Sequence, residues 1–188
     1  RILPFPMLVA LGSLALVSCD DDKSEHGQLI TNGEVEAGSI VPNSWWFYSG
    51  QNKYEVTWTD QESFSASQSL KISAQTTDPS EFAFWAQTIS VNIPKGKSVK
   101  LTVKVKAALS GQGISIAIRS DNTPQPSGAA EQFATTEGIT PISGSFDWTD
   151  YSVQLAGIDA NTQSLTIYLI YLTNTTGEVY FDDVSLTY

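Results

Sequence analysis

The chain holds one cysteine and one histidine in 188 residues. Nucleophilic catalysis needs a base within reach of the nucleophile, and neither side chain is placed to form such a pair. His26 lies in the polar stretch from Asp20 to Gln28, outside any apolar pattern. Carboxylates are plentiful, at 20 Asp and Glu, so a two-carboxylate hydrolase is the remaining enzyme chemistry. No spacing singles out a pair of them. No glycine-rich loop follows a strand and opens a helix, as a phosphate cradle requires. The expectation is therefore that the protein is not an enzyme. What the chain does offer is aromatic surface: 5 Trp, 7 Tyr and 8 Phe, more than core filling alone usually needs. Rings that stay outside a core can stack on a flat ligand. The net charge is −10, and arginine occurs only as Arg1 and Arg119. Such a surface repels phosphate backbones, which excludes nucleic acid as a partner.

These side chains must be positioned by strands, because from Leu29 onward the apolar period is two. Val99, Leu101, Val103, Val105 and Ala107 alternate with Lys100, Thr102, Lys104 and Lys106, the pattern of a half-buried antiparallel strand. Ile114, Ile116 and Ile118 repeat it, leaving Ser115, Ala117 and Arg119 on the other side. Tyr54, Val56 and Trp58 alternate with Glu55, Thr57 and Thr59. Further strands are expected over Leu29 to Glu36, Ser69 to Ala74, Glu81 to Val91, Tyr151 to Leu155, Ser164 to Leu172 and Val179 to Tyr188. Turn residues separate them, among them Asp78-Pro79, Pro94-Lys95-Gly96 and Thr176-Gly177. The longest irregular stretch is Asp121 to Gly128. The expected fold is all-β, an antiparallel β-sandwich of jelly-roll type in one domain over residues 29–188.

Strand phase also sorts the rings. Trp85 and Gln87 share the phase of Ile89 and Val91, so Phe82 and Phe84 face the opposite way. Tyr168 falls opposite Leu165, Ile167 and Leu169. Trp45, Trp46, Phe47 and Tyr48 cannot all be buried on one face, so one or two must be exposed.

The first residues read as an export signal. An apolar run from Ile2 to Val17 ends in Leu16-Val17-Ser18-Cys19, which resembles the lipobox of bacterial lipoproteins. The resemblance implies a signal peptide over 1–18, with its basic start truncated before Arg1, and acylation of Cys19. Residues 19–28 then form a flexible tether. Acyl chains would hold the protein at the bacterial outer membrane or cell surface.

The remainder resembles the galactose-binding-like jelly rolls that include many carbohydrate-binding modules. The resemblance rests on Asn32-Gly33-Glu34-Val35-Glu36 with Trp45 after it and on Phe64-Ser65-Ala66-Ser67-Gln68-Ser69-Leu70-Lys71-Ile72. Trp85-Ala86-Gln87 leading to Pro94-Lys95-Gly96, Trp148 with Tyr151, and Tyr180-Phe181-Asp182-Asp183-Val184-Ser185-Leu186 complete it. Ala66 stands where the family usually has a turn glycine. The resemblance implies a non-catalytic sandwich and a structural calcium between the first and last strands, held by Glu34, Glu36 and Asp182. Glu34 and Glu36 would share one face of a strand, and carbonyls near Ser65 or Ser67 would complete an oxygen shell. It also implies a glycan partner. Sugars are read by aromatic faces beside fixed polar groups, and the residues in phase for this are Phe84, Arg119 and Tyr168, with Trp46 or Tyr48 at the rim. The expected function is capture of glycan at the cell surface by a monomer. The alternative is a structural or adhesive jelly roll that contacts protein.

Overall fold

The computed structural model describes residues 27–188. The expected signal, the acylated Cys19 and residues 20–26 of the tether lie outside the described residues. Gln28 is already tied to the domain: its Oε1 accepts from Leu186 N–H at 2.8 Å.

Ten strands form two five-stranded antiparallel sheets, and the described residues contain no helix. The first sheet runs β1 (Trp46–Tyr48), β4 (Ala83–Ser90), β9 (Ser164–Tyr171), β6 (Ile114–Asp121) and β7 (Gln132–Thr135). The second runs β2 (Glu55–Thr59), β3 (Ser69–Ala74), β10 (Thr175–Thr187), β5 (Val99–Gly111) and β8 (Ser145–Leu155). This is the antiparallel jelly-roll sandwich that the period-two pattern predicts. The alternation in β5 holds: Val99, Leu101, Val103 and Val105 are fully buried, while Lys100 is exposed and Lys104 and Lys106 are half-exposed. Between the sheets lie Trp85, Ile116, Ile118, Ile167 and Leu169 from one side. Leu70, Ile72, Leu101, Val179 and Phe181 meet them from the other.

The segment Leu29 to Glu36 is not the strand its sequence suggests. Leu29 N–H donates to Leu186 O and Val184 N–H donates to Gly33 O, so the segment lies along β10. Around Gly33 the chain turns, with Asn32 at φ 54° and Val35 at φ 51° and a Val35 N–H to Asn32 O bond. A β-branched residue in the left-handed region is unusual. Burial explains Val35: its side chain is fully enclosed. Gly33 is required, because a Cβ there would collide with Val184 O. The segment is completed by Gln87, whose amide bonds Thr31 N–H and Thr31 C=O, both at 2.9 Å, in the manner of a missing strand neighbour.

The expected strand at Tyr151 begins earlier, at Ser145. Strands β1 and β7 form where no strand pattern is legible.

Candidate functional site

The outward face of the first sheet can be assembled row by row from its register. Tyr48 sits opposite Phe84, Phe84 opposite Ile170, and Ile170 opposite Ser115. The next row is Trp46, Ala86, Tyr168, Ala117 and Thr135. The third is Thr88, Thr166, Arg119 and Phe133. Alternation sets all of these away from the core.

The large side chains of the upper rows touch. Trp46 meets Phe84 edge-on at 5.2 Å between ring centroids and Tyr168 at 6.3 Å. Phe84 meets Tyr168 edge-on at 5.3 Å and stacks on Phe82 at 6.1 Å, and Tyr48 leans on both phenylalanines. Trp46 and Phe82 remain about two-fifths exposed, and Phe133 is about half exposed at the far edge. Ala86, Ala117, Ser115 and Thr166 are buried on this outward side, because the rings lean over the small residues between them. The face is thus a shallow trough with an aromatic wall. Past Phe82 it opens into a recess of about 250 Å³ lined by Phe82, Glu137, Ile170, Leu172 and Thr173.

The polar row is rigid. Arg119 Nε and Nη2 form a fork on Asp121, at 2.8 and 2.7 Å, and Nη2 also donates to the carbonyls of Ser127 and Gly128. Ser164 Oγ donates to Thr123 O, so the loop 122–131 is fastened over the lower end of the trough. Nη1 bonds none of the described residues and is not sealed from solvent. The Arg119 fork holds the Asp121 carboxyl below its ordinary pKa. Burial raises the Tyr168 phenol, which therefore stays a neutral donor. At the opposite rim Tyr48 donates to Glu81 at 2.9 Å. All five residues expected to contact a ligand, Trp46, Tyr48, Phe84, Arg119 and Tyr168, therefore share this one face. Phe133 joins them unanticipated, since β7 has too few residues to show a phase.

The expected calcium shell is not assembled. No cluster of three acidic, histidine or cysteine side chains able to hold an ion occurs among the described residues. Glu34 is exposed, and the turn at Val35 removes the strand on which it would share a face with Glu36. Asp182 is fully buried and accepts from Phe64 N–H, Ser65 N–H, Ser65 hydroxyl and Asp183 N–H, at 2.7 to 3.1 Å. Two carboxylate oxygens have about four lone-pair sites, so four donors leave none for an ion. Burial raises the Asp182 carboxyl above its ordinary pKa although these donors oppose it. Glu36 accepts from Ser67 N–H, Ser67 hydroxyl and Gln68 N–H. Burial pushes this carboxyl up as well, but the three donors together outweigh it and hold its pKa below the ordinary value. The two carboxylates clamp the loop 64–68, in which Ala66 takes φ 41°, the conformation a glycine would adopt freely. Chelator is accordingly expected to leave the melting temperature unchanged. An ion bound only by the native state adds about 2.7 kcal/mol at a hundredfold excess over Kd, and a fall of roughly 5–10 °C on chelation would show that one is held.

Fold and face together define a jelly-roll sandwich that presents an open aromatic trough on one sheet. The chain belongs to the HpiC1-like family, whose description is HpiC1 cyclase; the family model matches residues 18–187. No curated protein sequence is similar enough to count as a match. Among solved structures, a Stig cyclase from Fischerella sp. TAU, in complex with (3Z)-3-(1-methyl-2-pyrrolidinylidene)-3H-indole, is 17% identical with a TM-score of 0.64, covering 86% of this chain and 96% of that one. A family 61 carbohydrate-binding module in complex with beta-1,4-galactotriose is 12% identical with a TM-score of 0.52, covering 85% and 97%. The enzymatically active domain of tailspike protein 4 of bacteriophage CBA120 is 15% identical with a TM-score of 0.61; 85% of this chain is covered, but only 21% of the tailspike chain. Family membership overturns the expectation that the protein is not an enzyme. That expectation weighed a nucleophile with its base, a carboxylate pair and a phosphate loop, and the family's description names a cyclase, a chemistry outside those three.

Proposed function

We propose that the outward face of the first sheet binds a glycan. The observation that carries this reading is the continuity of Trp46, Phe84 and Tyr168 with Arg119 on one outward face. Rings supply flat apolar surface for sugar C–H faces, and Arg119 Nη1 keeps two N–H donors for hydroxyls. The fork to Asp121 holds that guanidinium still, so little side-chain freedom is lost on binding. A carbohydrate-binding module with bound sugar among the fold's neighbours supports the reading. Acylation of Cys19 would display the site on a membrane surface in many copies, and avidity would compensate weak single-site binding.

Each ring is worth about 1 kcal/mol, so Trp46→Ala and Tyr168→Ala are each expected to weaken oligosaccharide binding about fivefold, measured by calorimetry. Trp148→Ala, on the second sheet, is the control and leaves affinity unchanged. If glycan binds and only Trp148→Ala weakens it, the site is on the other sheet.

Family membership favours a second reading of the same face, cyclisation of a substrate held against the rings; the planar indole ligand of the Fischerella cyclase supports an unsaturated one. The carboxyl at the rim, Glu81, would in its protonated form lend a proton and recover it as one carbon–carbon bond forms at the expense of a π bond. Saturable quenching of Trp46 fluorescence by indole, lost in Phe84→Ala, would support it; no quenching of Trp46 would count against it.

A further inference from the structure

The strand charges of this protein are segregated between its two sheets. The second sheet carries Lys71, Lys100, Lys104 and Lys106 against Glu55, Asp147, Asp150, Glu178, Asp182 and Asp183. The first sheet carries Arg119 and Asp121 and no other charged residue in any of its strands. Those two are bonded to each other through a two-point fork, with Asp121 fully enclosed beneath it. The one cation of the trough is therefore already neutralised by a carboxylate two residues along its own strand, and the loop carbonyls of Ser127 and Gly128 sit on the same guanidinium.

Near the rings the rim adds acidic residues, and at the loop 122–131 Lys95 lies among Glu131 and Asp159. Glu81 stands against Tyr48 at one edge, and Glu137 lines the recess past Phe82. Lys53 is held by Asp78 at 2.6 Å. The whole chain carries a net charge of −10, so the long-range field also disfavours an approaching anion.

We infer that the trough selects neutral glycans and rejects uronic-acid and sulfated ones. This inference rests on the glycan reading given above and specifies its substrate class. Arg119 acts here as a donor to neutral hydroxyl and ring oxygens through Nη1. It does not act as a carboxylate receptor, because its fork geometry is already spent on Asp121. Asp121 is thus the residue that determines specificity: it converts the sole guanidinium of the sheet from an anion receptor into a fixed neutral donor.

The test is a paired affinity measurement on the full chain and on residues 20–188. The neutral arm uses galactan and xylan; the acidic arm uses polygalacturonate and alginate, each at low and high salt. The neutral glycans are expected to bind at least about tenfold tighter at low salt, since like charges brought together are costly. Raising the salt should narrow that gap, because screening weakens repulsion. Asp121→Asn removes the internal counter-charge and is expected to shift the preference toward the acidic glycans. Its fold is checked by circular dichroism, and the wild-type ratio stands as a test without it. Acidic glycans binding as tightly as neutral ones to wild type would overturn the inference while leaving the glycan reading intact. If no glycan of either class binds, the glycan reading fails and this inference falls with it.

Discussion

Asp182→Ala is expected to destabilise the domain by about 3 kcal/mol or more. Phe64 N–H, Ser65 N–H, Asp183 N–H and the Ser65 hydroxyl all converge on one fully buried carboxylate. Alanine leaves them without an acceptor; a fully buried orphan costs about 1–3 kcal/mol, and these part-buried donors cost less because water reaches some of them. Relief of the desolvated charge recovers part of this, which is why the expected loss is less than the sum. Phe64 and Ser65 lie more than a hundred residues away in sequence, so the carboxylate ties the last strand to a distant loop. In a domain of this size 3 kcal/mol lowers the melting temperature by on the order of 10 °C. Thermal unfolding followed by circular dichroism checks it. A variant that melts within a degree or two of wild type would mean that water replaces the carboxylate at no cost.

Trp85→Ala is expected to cost about 3–5 kcal/mol, the range for deleting a large aromatic from a core. Trp85 is fully buried, donates its indole N–H to Lys71 O across the sandwich at 3.2 Å, and supports Phe47 at 5.0 Å. It joins β4 of one sheet to β3 of the other. The same substitution should loosen the outward face, because Phe84 and Ala86 are its neighbours in the strand. Denaturant unfolding gives the free energy, and an unchanged midpoint would contradict the packing described here.

Much of the site was legible because β-strands have a period of two. Once Ile114, Ile116 and Ile118 are assigned to the core, Arg119 has only one side left to occupy. The same holds for Tyr168 against Ile167 and Leu169, and for Phe84 against Trp85. What was not legible depends on backbone conformation and distance. Val35 is β-branched and reads as strand, yet burial holds it at positive φ and breaks the segment that was to carry Glu34 and Glu36. The donors that saturate Asp182 come from a loop that no local pattern relates to β10. Phe133 lies in a strand of four residues, too short to show alternation. The expectation of no catalysis failed for a different reason. It asked which residues could attack a substrate or cradle a phosphate, and the family's description names a cyclase, which neither question addresses.

The five tryptophans offer the most direct test of the trough. Trp45, Trp58 and Trp85 have their indole N–H groups bonded to the carbonyls of Asn32, Val35 and Lys71. Trp46 stands in the trough, and Trp148 packs on Phe64 beside the second sheet at 6.0 Å. In a nitrogen–proton correlation spectrum each indole gives one signal, so a single titration with β-1,4-galactotriose reads both faces at once. The Trp46 indole signal is expected to move progressively to saturation while that of Trp148 stays in place. Movement of Trp148 with Trp46 unmoved would place the ligand on the opposite sheet and contradict the account.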